Sequence, residues 1–120
     1  MSDRKLLEDA AKAAGIEVLS PSRWPIGQQQ FGLWIQIGTH RTAVGWWNPL
    51  TDDGDALRLA VQLMIRVSVN RAFRLSIPGS VTVEYPDRDG FYFALGEAVT
   101  NGDPYAATRR AITRAAAEIG

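Results

Sequence analysis

The sequence predicts an α+β domain. It is an antiparallel β-sheet of five or six strands covered by three helices, an α-β-α sandwich in the order αβ(β)βαβββα. Three observations carry this expectation. Apolar residues recur at helical spacing in three stretches and alternate in the stretches between them. The turns joining successive strands are short, which favours antiparallel pairing. Trp46 and Trp47 are adjacent on one strand, so their indoles leave opposite faces and both faces want a cover.

Ser2 to Ala14 reads as the first helix. Ser2 suits the cap and Asp3 the positive end. Leu6, Leu7, Ala10, Ala11 and Ala14 form its apolar stripe, Gly15 its left-handed stop and Ile16 the hydrophobic clasp. Ile16 to Leu19 can form a short strand. Ser20 to Gln30 is a loop punctuated by Pro21, Pro25 and Gly27. Phe31 to Gly38 alternates, Thr39 to Thr42 turns and Ala43 to Trp47 returns, which makes a hairpin.

Asp52 to Val67 is the longest predicted helix. Arg58, Gln62 and Arg66 fall on one line and apolar residues fill the remaining circumference, so it wants two packing contacts, the sheet plus a neighbouring helix or a second subunit. Val69 to Ile77, Ser80 to Tyr85 and Phe91 to Val99 read as strands, separated by turns at Pro78-Gly79 and Pro86 to Gly90. Asp103 caps the last helix, Pro104 takes its first position and the helix runs to about Ile119.

A chain of 120 residues, 46% hydrophobic and 22% charged, suits a single folded domain over 1–120 with its own core. Net charge is zero, which argues against the basic excess of a nucleic-acid binder. Cysteine is absent, which excludes disulfides and thiolate chemistry. Neither a secretory signal nor a run of about 20 apolar residues is expected, so the location expected is the cytoplasm.

Several residues invite a functional reading. Asp52, Asp53 and Asp55 lack the spacing and distal glutamate of a calcium loop, and they fit a helix cap and its first turn. His40 sits in the expected hairpin turn with no partner in view. Arg109, Arg110 and Arg114 decorate the last helix; Tyr105, Thr108, Ile112, Ala115 and Ile119 form its apolar stripe, and Glu118 is spaced to pair with Arg114. Trp24 and Trp47 are candidate partner contacts, since tryptophan is enriched at binding hot spots. No catalytic, cofactor-binding or metal-binding residue is assigned.

The stretch WNPLTDDGDAL, Trp47 to Leu57, resembles the phage and prophage α-β-α sandwich domain family. The ending DPYAATRRAITRAAAE, Asp103 to Glu118, is similar to the ending of such proteins. Members are small phage proteins of unassigned function. The resemblance implies the fold, a phage origin and a bacterial host cell, and carries over no catalytic residue. The leading expectation is a non-enzymatic phage accessory protein acting through protein contacts, with a homodimer among them. The alternatives are a nucleic-acid-binding protein using Arg109, Arg110 and Arg114 or the strand with Arg71 and Arg74, and a metal-dependent hydrolase built on Asp52 to Asp55.

Overall fold

A computed structural model describes residues 2–18, 33–37, 43–70, 79–87 and 89–120, with the side chains of 33–37 and 43–46 outside the description. Helix α1 (Asp3–Ala13) forms where cap and periodicity coincide. The Ser2 side chain accepts the Lys5 backbone N–H at 3.2 Å, and Leu6, Leu7, Ala10, Ala11 and Ala14 are all buried. Gly15 takes φ +68°, a conformation that costs glycine nothing. The Gly15 N–H then donates to the Lys12 carbonyl and the Ile16 N–H to Ala11, which closes the helix as expected.

Strands β1 (Leu33–Ile37) and β2 (Ala43–Trp47) form the expected antiparallel hairpin, with Trp34 opposite Trp46. Helix α2 (Asp53–Gln62) follows, then β3 (Arg66–Asn70), β4 (Ser80–Pro86), β5 (Tyr92–Ala98) and α3 (Pro104–Ile119). The fold is therefore α+β with three helices among the described residues.

The expected sheet of five or six strands is not what forms. Strands β3, β4 and β5 make one antiparallel sheet with β4 in the middle, and β1–β2 stands apart as a two-stranded hairpin. Turns and alternation report which neighbours in sequence pair. They carry no information on whether two hairpins share a ladder, and here α2 intervenes between them.

The covered-on-both-faces sandwich is corrected too. One face of the three-stranded sheet carries Val81 and Val83, both fully buried, with Tyr85 and Leu95 beside them. The other carries Arg66, Ser68, Asn70, Ser80, Thr82, Glu84, Tyr92, Ala94, Gly96 and Ala98, in register across the strands and polar or small apart from Tyr92. There the Asn70 amide donates to the Ser80 and Thr82 hydroxyls at 3.3 and 3.2 Å. A face of this chemistry gains little from a helix above it, and among the described elements the cover is one-sided.

Helix α3 is that cover. It packs against β4 and β5 on one side and against α1 and α2 on others. Ala107, Ala111, Ile112, Thr113, Ala115 and Ala116 are buried, which takes up most of its circumference. Small side chains let the neighbours come close: a Cβ on Gly120 would lie 2.5 Å from the Asp9 carbonyl oxygen. The one hydroxyl enclosed here, Thr113, donates to the Arg109 carbonyl at 2.8 Å. Tyr105, expected on the apolar stripe, is instead mostly exposed. Trp47 is buried at 5% exposure within the core, and the Trp46 side chain lies outside the described residues.

The second helix is shorter than expected. It ends at Gln62, and Met64 turns left-handed at φ 57°. The Met64 N–H donates to Val61 and the Ile65 N–H to Ala60, a closed stop without a glycine. Arg66 is thereby transferred to a strand, where its guanidinium lies 4.0 Å over the Tyr92 ring. Residues 71–78, which carry most of the expected Val69 to Ile77 strand, lie outside the described residues. No helix among the described residues is long and apolar enough to cross a membrane.

Candidate functional site

The acidic cluster is built into the start of α2. Asp52 is the cap, its Oδ2 accepting the Asp55 N–H at 2.9 Å. Asp55 accepts the Asn48 backbone N–H at 3.0 Å through one oxygen and an Arg58 guanidinium at 2.7 Å through the other. Asp53 is reached by Arg109 at 2.7 Å. Each carboxylate thus has a local donor, and among the described residues no group of three His, Asp or Glu is placed to hold a metal ion. Asp52→Ala is expected to cost about 0.5–2 kcal/mol in a urea titration, and Thr51→Ala far less, because Thr51 does not cap. Equal losses at the two positions would contradict the assignment.

The three arginines do not form one face. Arg109 is largely enclosed: its Nε donates to the Leu50 carbonyl at 2.9 Å and its side chain is 18% exposed, so it ties α3 to the loop before α2. Arg110 reaches Asp3 at 3.2 Å and approaches Glu97 at 4.0 Å. Arg114 grips Glu97 and the Gly96 carbonyl of β5 instead of Glu118, because α3 lies against that strand. A cleft of about 390 Å³ lies beside Arg110 and Arg114, with Glu97 and Glu118 in its lining. The charges of its described lining, two carboxylates and two guanidinium groups, are balanced rather than phosphate-selective. Trp24, His40, Arg71 and Arg74 lie outside the described residues.

The residues that sequence reasoning missed are apolar. Leu57 and Val61 are 64% and 71% exposed and stand one turn apart on α2, and Met64, 71% exposed, follows in the left-handed turn just past the helix end. Their opposite face, Ala56, Leu59 and Ala60, enters the core. The apolar wheel of this helix was therefore a true signal, with half of it unused inside the chain. Met64 is doubly costly, since a side chain in the left-handed region is strained and this one packs little.

The stripe ends at a second cleft of about 800 Å³, lined by Leu63, Met64, Tyr85, Phe93 and Ile119. The Tyr85 and Phe93 rings stand with centroids 5.9 Å apart. Burial, aided by the nearby Glu118 carboxylate, pushes the Tyr85 phenol above its usual range. No protein-family model, curated protein or solved structure matches the chain.

Proposed function

We propose that this is a non-enzymatic protein that works by binding another protein, with Leu57 and Val61 of α2 and Met64 just past its end as the contact. The exposed stripe carries the reading. Scattered apolar residues are ordinary on a surface, but Leu57 and Val61 stacked a turn apart on one helix, with Met64 exposed just beyond its end, are the pattern of an element that docks. The strained Met64 strengthens it, because glycine at that position would close the helix at lower cost. The acidic cluster and Arg109 are occupied by structural partners, which weakens the hydrolase and nucleic-acid alternatives. The likeness of Trp47 to Leu57 and of Asp103 to Glu118 to phage proteins makes a phage or prophage accessory role, in a bacterial host, the setting we favour.

A photoreactive residue at position 61 should crosslink to protein in the native cell, and one at the exposed Thr100 should not. Equal labelling at both positions, or none at 61, would remove this reading. Met64→Gly should raise stability by about 0.5–1 kcal/mol in urea unfolding while reducing that crosslink. A loss of stability would mean that the methionine serves the fold.

A further inference from the structure

The cleft at the end of the stripe is selective in its charge. The walls are Leu63, Met64, Tyr85, Pro86, Phe93 and Ile119, and among the described lining residues the charged ones, Asp87 and Glu118, are both acidic. Asp87 Oδ1 accepts the N–H groups of Asp89 and Phe91 at 2.9 and 2.8 Å, which fixes that carboxylate at the rim of the β4–β5 turn. Gln62 also lines the cleft, its amide engaged in a hydrogen bond donated to the Ala14 carbonyl at 2.6 Å. Glu118 stands at the last turn of α3, beside the Tyr85 phenol.

We infer that this groove takes a cationic amphipathic segment of a partner protein, with its apolar side chains against Tyr85, Phe93 and Ile119 and a lysine or arginine at Glu118 and Asp87. The inference rests on the proposed function, because Met64 belongs to both the stripe and the groove. Charge complementarity selects the occupant. An anionic membrane surface is repelled by two carboxylates. A second copy of the chain fits less well: among the described residues, the cations flanking its exposed α2 side chains, Arg58 and Arg66, already face Asp55 and Glu84. The volume of about 800 Å³ holds several side chains, and the cleft is continuous with an α2 face that a helix can follow.

The probe is a synthetic helical peptide with leucines at i, i+3, i+4 and i+7 and lysines on its other face, paired with a copy carrying glutamate for lysine. Titration calorimetry on the full chain should show the lysine peptide binding and the glutamate copy binding at least about tenfold more weakly. Glu118→Lys should weaken the lysine peptide about tenfold with the unfolding midpoint unchanged, and added salt should weaken it in the unmodified protein. Equal binding of the two peptides, or undiminished binding to Glu118→Lys, would overturn the inference. So would a concentration-dependent dimer in sedimentation that Met64→Glu dissociates, since a second copy would then fill the groove. If these peptide results fail while the crosslink at position 61 persists, the groove assignment falls and the protein-binding reading stands. If the crosslink is missing as well, both fall.

Discussion

Leu7→Ala is expected to destabilise the protein by about 2–5 kcal/mol, far more than truncation of an exposed leucine. Leu7 is fully buried on α1, inside the cluster that includes Trp47, Val81, Val83 and Ala111. Removing its isobutyl group loses the transfer energy of the methyls and leaves a cavity that the packed helices can only partly close. Total stability for a domain of this size is about 5–15 kcal/mol, so the variant should be visibly shifted in urea or unfolded at ambient temperature. Leu57→Ala, at a site 64% exposed, should stay within about 0.5 kcal/mol of the parent. Similar losses at the two leucines would show that the α2 stripe is packed in solution and not free.

The second large effect comes from adding atoms. Ala111 is fully buried on α3, and α3 is the element against which α1, α2 and the sheet all pack. Ala111→Leu should cost about 1–3 kcal/mol or more, because the extra carbons have no void to enter and must force the helices apart. The substitution slightly lowers intrinsic helix propensity, so a stabilised variant would mean that the layer holds a cavity. Thermal unfolding followed by circular dichroism would decide between these outcomes.

Much of this was legible because local chemistry wrote it. Ser2 and Asp103 with Pro104 announce the starts of α1 and α3, Gly15 announces a stop, and β4 and β5 follow from alternation flanking a turn. The end of α2 was hidden because Met64 turns left-handed where glycine would have signalled a stop, and the apolar spacing runs on past it. The division into two sheets was hidden because ladder partners distant in sequence leave no local mark. Arg109 looked like its neighbours Arg110 and Arg114, yet it bonds a carbonyl 59 positions away. The exposed stripe was concealed by its own chemistry: leucine, valine and methionine on a wheel read as buried, and only packing shows which side has no cover.

The central place of α3 has a consequence for how the protein is made. Its residues, 104–119, follow every other described element in the chain. A nascent polypeptide that ends before them holds α1, β4 and β5 with Leu7, Val81 and Val83 uncovered, so collapse onto the native core must wait for translation to pass them. Contacts such as Arg110 with Asp3, 107 positions apart, then close the largest loops last. Loop closure of that length is entropically costly and topologically slow, at elongation speeds of about 5–20 residues per second. In that interval the β4 valines are the surface a ribosome-associated chaperone would meet.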